Sequence, residues 1–396
     1  MKRKVQTEYA LAQSLYWAFN GSMLSFSSAF LLPNGFSNTE IGLILSIANL
    51  LATAVQPFLA DYADHASKHP LSLILSILEA ILILLTGSLF LLHGKTVGLF
   101  LFYAITLAWY HMILPLLNEL SFKFQKFNIS ISYAFSRGMG SLGYSIMCGI
   151  LGVAVESYGI VMIPSLSILV AAGLFLATLL LHRNYHSLNH EADTERSTSK
   201  PSDISLGEFI RSHKPLLLLN IGAALAFLCA GIFGAYMLQI VQSIGGSSKE
   251  LGTALVVTAL CEIPAMSLYD TLAKRYGNET MIKVSMFGFI LKAVIFVLAR
   301  SYFLILIGCA VQFFGFAFFM PAMVGYTHDH MSEGEAVKGQ ALFTISCTIS
   351  GLLANLSGGL ILDHFGVNAM LYYTLLCGVL GTIIVFRALK LSESNK

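Results

Sequence analysis

The chain has 396 residues, of which 56% are hydrophobic and only 11% charged, with a formal net charge of +2 and a mean hydropathy of +0.75. Charged residues make up about 25% of ordinary soluble domains, so a soluble globular enzyme is excluded. The near-neutral balance, with no polybasic tract, also excludes nucleic acid as a partner.

A bilayer core takes about 20 apolar residues per helix. Hydropathy marks twelve such spans, at 9–32, 39–60, 71–92, 96–119, 131–155, 159–181, 215–240, 250–270, 281–299, 302–326, 338–361 and 367–388. The first follows Lys2, Arg3 and Lys4; being of span length and lacking a small-residue cleavage pattern, it reads as a retained helix rather than a signal peptide. The second opens with Thr39-Glu40-Ile41-Gly42 and carries Gln56-Pro57 near its end. The third contains Glu79 and has no evident partner for it, so snorkelling, local hydration and a functional role all stay open.

Glu119 closes the fourth span and Arg137 opens the fifth, with Lys123 and Lys126 at the tip of the hairpin between them. If both helices run a turn past their apolar limits, the two side chains reach similar depth and face one another. The fifth span reads Arg137-Gly138-Met139-Gly140-Ser141-Leu142-Gly143-Tyr144, then Gly149 and Gly152. Small residues at such spacings let helix backbones approach closely. Tyr144, two turns after Arg137, shares its face and offers an aromatic surface to whatever the guanidinium binds.

His182, His186 and His190 form a stripe at the end of the sixth span, read as a solvated helix face rather than a metal site. The polar stretch 182–214, with its charged run at 191–203, separates spans six and seven. It divides the chain into an N-terminal six-helix bundle (1–181), a cytoplasmic linker (182–214) and a C-terminal six-helix bundle (215–396). The eighth span opens with Lys249-Glu250-Leu251-Gly252 and carries Ile263-Pro264, echoing the second, as an internal duplication would place it.

Glu262 in the eighth span and Lys292 in the ninth both fall near the bilayer midplane at 1.5 Å rise per residue. Acid and base pairs of this kind either lock helices together or line a hydrated passage. A buried ion pair adds little stability over apolar packing, so the passage is favoured. Asn20, Asn49, Gln56, His111, Gln239 and Gln312 are further polar groups within spans that line a cavity or bond helix to helix; His328, Asp329 and His330 read as loop residues. All six cysteines lie in apolar runs, so neither a disulfide framework nor a zinc site is expected. No Ser/His/Asp set or phosphate loop is present, and enzyme activity is not expected. With the N-terminus inside, only Lys95, Lys249 and Arg300 of the 23 Lys and Arg fall in outside loops, which predicts cytoplasmic termini.

In these features the chain resembles major facilitator superfamily transporters. Within them it is similar to the lactose permease group of oligosaccharide/proton symporters and to the related phenylpropionate permease-like proteins. The likeness rests on Glu119 separated by 18 residues from Arg137, then Gly140-x-x-Gly143 and Tyr144. In lactose permease the matching acid and arginine hold sugar hydroxyls, and a tryptophan at the aromatic position stacks on the ring. Val55-Gln56-Pro57 with Asp64 resembles the start of the superfamily's gating-loop motif, although Ala60 and Ser67 replace its glycines; Lys274-Arg275-Tyr276-Gly277 is the second-half counterpart. Glu262-Ile263-Pro264 resembles the eighth-helix acid, and Lys292 falls where the relatives carry arginine.

The resemblance implies an all-α membrane protein with twelve transmembrane helices in two six-helix pseudo-symmetric bundles around a central cavity. It implies a monomeric, multi-pass transporter of the cell inner membrane that moves a small-molecule substrate, a saccharide first, with a proton and without cofactor or metal. An aromatic or other organic acid, or transport without proton coupling, is the alternative. Glu119, Arg137, Tyr144 and Asn20 are the expected substrate contacts, Glu262 and Lys292 the proton-coupling pair, and Asp64 a gating residue. Gln312 and Gly315 stand where lactose permease has a histidine and a proton-carrying glutamate; either another carboxylate takes the proton, Glu262 first, or transport is not proton-coupled.

Overall fold

The computed structural model describes residues 2–65, 71–125, 129, 131–189, 213–331 and 333–394. Among them the chain is helical and contains no strand, the outcome expected where hydrocarbon leaves no water for unpaired backbone groups. Ten helices among the described residues are long and apolar enough to cross a membrane. One of these, Glu333–Ser394, is two helices merged across Gly366, whose φ of 78° breaks the helical backbone. The first expected span is broken too. It comprises α1 (Lys2–Phe19), a π-turn (Asn20–Leu24) and α2 (Ser27–Leu31). With these two segments resolved, the helices are consistent with twelve crossings.

The chain folds as two compact units, Met1–Glu195 with Gly246–Ala259, and Arg196–Gly245 with Leu260–Lys396. In the first, α1 packs against α6 (Tyr133–Tyr158) and α7 (Met162–Asn189), α3 (Asn38–His65) against α5 (Val97–Gln125), and α4 (Leu71–Ser88) against both α5 and α7. The second unit contains α8 (Lys214–Ala235), α9 (Met237–Gln242) and the later part of α10 (Ser248–Tyr276), followed by α11 (Asn278–Leu298), α12 (Tyr302–Ala310), a 3-10 turn (Val311–Phe313), α13 (Phe316–His330) and the split α14 (Glu333–Ser394). There α14 runs along α8, and α11 packs against α12, α13 and α14. The opening of α10 belongs to the first unit because glycine meets glycine: a Cβ on Gly252 would meet the Cys148 carbonyl at 2.5 Å and the Gly152 Cα at 2.9 Å.

The internal echo has a local physical cause. Before α3, the Ser37 amide donates to Glu40 Oε2 at 2.9 Å, and the Glu40 amide donates to Ser37 Oγ at 3.3 Å. This is a capping box, which satisfies helix-end donors reciprocally. Before α10, Ser247 forms a close variant, its amide donating to Glu250 Oε2 at 2.9 Å while the Lys249 amide donates to Ser247 Oγ at 3.2 Å. A glycine with positive φ precedes each box, Gly35 at 90° and Gly245 at 83°. Both long helices thus start from closely similar turn-and-cap devices, and the glutamates marked in sequence are their N3 residues.

The close seam between α1 and α6 is set by two glycines. A Cβ on Gly143 would collide with the Ser14 carbonyl and hydroxyl, and one on Gly140 would meet the Trp17 ring at 2.5 Å. Gly138, one face away, has nothing within 4 Å. Overpacking a tight contact costs about 1–3 kcal/mol. The Gly143→Val protein is therefore expected to lose about that much stability in thermal or denaturant unfolding, whereas Gly138→Ala is expected to match or slightly exceed the parent, since Ala is favoured over Gly in a helix by about 0.5–1 kcal/mol.

Candidate functional site

Two polar clusters stand out, one in each unit. In the first unit, the glycine seam brings α1 so near α6 that the Arg137 guanidinium lies over the Trp17 ring, 3.9 Å from its centroid. This is a cation–π contact, worth more as the pair is desolvated. Arg137 also donates to Ser141 Oγ, one turn along, at 3.3 Å. A guanidinium carries five N–H donors, and among the described residues no carboxylate lies within ion-pair distance of it. Trp17 meets Tyr16 edge-on, and Tyr16 stacks on Tyr110 at 4.4 Å between centroids. The indole N–H of Trp17 is buried with no hydrogen-bond partner. The cluster is rich in donors and poor in acceptors.

Asn20 starts the π-turn that interrupts the first membrane segment, directly after Phe19, whose ring stacks on that of Tyr110. π-turns recur at functional sites because they re-aim side chains locally. Asn20 thus follows directly on the aromatic group that Arg137 joins. Tyr144 does not stack beside the guanidinium. Its hydroxyl hydrogen-bonds the Ser25 hydroxyl at 2.8 Å, just past the π-turn, and the ring facing Arg137 is that of Trp17.

Glu119 also departs from expectation. It is not joined to Arg137 but sits 4.0 Å from Lys123, with its side chain 45% exposed. The reason is helical: α5 continues to Gln125, so Lys123 falls one turn beyond Glu119 on the same face. The preceding residue, Asn118, is the one that faces α1, accepting from Gln13 at 2.9 Å. Asp64 lies on the last turn of α3, and its side chain falls outside the described residues.

In the second unit, Glu262 on α10 and Lys292 on α11 are linked through a third residue. Lys292 Nζ donates to Gln312 Oε1 at 2.8 Å, and Gln312 Nε2 donates to Glu262 Oε1 at 2.9 Å. The ammonium is buried and also lies 5.4 Å from the Phe233 ring centroid and 5.7 Å from that of Phe296. Gln312 occupies the 3-10 turn between α12 and α13. That turn lies close against α11 because Gly288 carries no side chain: a Cβ there would meet the Gly315 amide nitrogen at 2.7 Å. An amide is suited to this place, since it presents an acceptor to the cation and a donor to the anion.

The third intramembrane acid, Glu79, does not snorkel. It is fully buried on α4 and accepts a hydrogen bond from Thr178 of α7 at 2.9 Å. His182, one turn beyond Thr178, bonds the Ser72 hydroxyl at 2.8 Å instead of standing on a solvated face. Among the described residues no group of three or more His, Cys, Asp and Glu is placed to hold a metal ion.

Comparison with known proteins gives this arrangement its context. The model of the MFS_1 like family matches residues 7–373. The chain belongs to this family. It is a multi-pass membrane transporter of the major facilitator superfamily, and its family and neighbours are transporters rather than enzymes. Maltose permease of Geobacillus stearothermophilus is 23% identical, covering 94% of this chain and 91% of that protein. The uncharacterized transporter YwbF of Bacillus subtilis is 23% identical over 99% of this chain and 96% of its own length. Among solved structures, the nucleoside transporter NupG has a TM-score of 0.77 at 15% identity, covering 98% of this chain and 98% of that one. A bacterial homolog of the lysosomal transporter Spinster has a TM-score of 0.67 at 14% identity, covering 98% and 95%. These two likenesses show the fold.

The Gln312 bridge makes a coupled unit of three side chains. Removing one partner of a buried ionic contact costs about 3–5 kcal/mol because the other charge is left uncompensated. Lys292→Met and Glu262→Gln are each expected to be destabilised in unfolding measurements. The double variant is expected to lose less than the two separate losses together, by a coupling of about 0.5–3 kcal/mol.

Proposed function

We propose that this chain is a secondary transporter that carries a small polar solute, a saccharide first, together with a proton by alternating access. The observation that supports this most is the Arg137 guanidinium stacked on Trp17 with no carboxylate among the described residues beside it. Such a pair supplies several N–H donors next to a flat apolar ring, and a hydroxylated ring has oxygens for the first and C–H faces for the second. The whole-length similarity to a protein named maltose permease favours a saccharide among such solutes.

In this reading Arg137 and Asn20 orient substrate oxygens and Trp17 stacks on the ring. Tyr144 positions the π-turn through Ser25, and Glu119 contributes from the end of α5 near Lys123. Proton coupling belongs to Glu262. When the carboxylate takes a proton it no longer needs the Gln312 donor, and Gln312 and Lys292 are released to other partners. The unit as a whole thus has two hydrogen-bond arrangements, the requirement for a switch. The protein acts in the cell membrane with both termini cytoplasmic, as the Lys and Arg distribution favours, with Asp64 in the loop motif that gates it.

The second reading, a permease for an aromatic or other organic acid, rests on the same guanidinium, which binds a carboxylate bidentately. Competition of labelled maltose uptake in proteoliposomes by sugars or by phenylpropionate-like acids separates the two. The saccharide reading expects displacement by sugars alone; displacement by the acids alone overturns it. Arg137→Lys keeps the charge but loses the planar fork, and is expected to weaken uptake by about 10-fold or more, since one hydrogen bond to a charged group contributes about 1.5–3 kcal/mol. Glu262→Gln is expected to abolish accumulation driven by an imposed pH gradient while sparing solute exchange. Unchanged uphill uptake would remove Glu262 from coupling.

A further inference from the structure

Glu79 is used by neither cluster. It lies within the Leu71–Leu91 membrane span, fully buried. Its Oε1 accepts from Thr178, and its Oε2 is buried with no hydrogen-bond partner. The helices packed against α4 are α5 and α7. From α7, Thr178 and His182 face it; from α5, Trp109 does, its indole N–H donating to the Leu78 carbonyl at 2.8 Å. Among the described residues no lysine, arginine or protonatable imidazole lies within ion-pair distance of Glu79. One neutral hydroxyl and an orphaned oxygen make poor surroundings for an anion, whose burial unpaired is prohibitive. They suit a carboxylic acid, with its proton on Oε2.

The same helix face carries the means of reaching it. Ser72, Ser76 and Glu79 recur at helical spacing on α4, all buried. On α7, Thr178 and His182 are one turn apart. The Ser72 hydroxyl bonds His182 Nδ1 at 2.8 Å, and the Ser76 hydroxyl donates to the Ser72 carbonyl at 3.0 Å. His182 is only partly buried and stands where α7 leads into the charged stretch of the chain. A titratable ring therefore sits at the open end of a buried row of hydroxyls, and a carboxyl at the closed end.

We infer that Glu79 is a second proton site of this transporter, loaded and emptied through His182, Ser72 and Ser76 along the α4–α7 seam. The step is a proton transfer alone. His182 takes a proton from solvent at one nitrogen and gives one to Ser72 Oγ from Nδ1; the Ser76 hydroxyl leaves the Ser72 carbonyl and rotates to accept from Ser72 Oγ and donate to Glu79 Oε2, each hydroxyl releasing one proton as it takes one, and no bond between heavy atoms changes. The site lies wholly in the first unit. It is independent of Glu262, so failure of one assignment leaves the other standing.

Infrared difference spectroscopy of the full-length protein in liposomes tests this at neutral pH, with H2O exchanged for D2O as the probe. The parent is expected to show a protonated-carboxyl C=O band that is lost in Glu79→Gln and kept in Glu262→Gln. Thr178→Val, which removes the hydroxyl bonded to the carbonyl without altering the acid, is expected to keep that band at higher wavenumber, so the result does not depend on the Gln variant folding. His182→Phe is expected to slow the deuterium shift of the band by about 100-fold, the low end of what a positioned proton-transfer group contributes. Absence of the band in the parent, or its survival in Glu79→Gln, overturns the proton site. An exchange rate unchanged in His182→Phe overturns the route and leaves a buried structural acid.

Discussion

A charge inside hydrocarbon must find a partner within the protein, and the structure meets that demand in three chemically distinct ways. Arg137 rests on an aromatic face. Glu262 and Lys292 share an amide between them. Glu79 has a single hydroxyl, which suits it as an acid. The three solutions differ in what they leave free. The guanidinium keeps unused donors; as proposed, the amide-bridged pair has two alternative arrangements and the acid holds a proton. Binding, coupling and storage of a proton are the corresponding chemical capacities, and intramembrane charge is tolerated where such a capacity accompanies it.

Backbone approach is what makes these partnerships possible. Gly140 and Gly143 let α1 lie against α6 so that Trp17 and Arg137 touch, and Gly288 lets the 3-10 turn bring Gln312 between Glu262 and Lys292. In a membrane, where apolar surface drives helices together only weakly, small residues decide which backbones meet. The polar contacts then add direction. The caps at Ser37–Glu40 and Ser247–Glu250 start two long helices in closely similar ways, so the echo read in the sequence recurs in local hydrogen bonding.

Much of this was legible in the sequence. Hydropathy located the helices because length and apolarity alone decide a span, although it could not show the π-turn at Asn20 or the interruption at Val311–Phe313. The intramembrane charges were identifiable individually, their partners less so. Equal depth placed Lys292 and Glu262 together, but through Gln312 and not as the direct ion pair expected; for Glu119 and Arg137 equal depth was misleading, because rotation about the helix axis turned Glu119 towards Lys123. Trp17 escaped notice: its signal was the absence of side chains at Gly140 and Gly143, which implies a large neighbour without naming the helix that supplies it. Gln312 was visible as one of several polar groups within the spans and as a departure from the resembling family. Its role emerged once the turn set both ends of the amide between opposite charges.

The central claim is that the Arg137–Trp17 pair receives the solute. The chain has only two tryptophans, and Trp109 is committed to the Leu78 carbonyl, so Trp109→Phe leaves Trp17 as the sole indole reporter. Titrating that reconstituted protein with maltose and with a phenylpropionate-like acid, while following tryptophan emission and uptake in the same vesicles, tests the claim directly. The account predicts a saturable emission change with the transported solute, lost in the Arg137→Gln background. Transport of either solute with Trp17 emission unmoved at every concentration would contradict it.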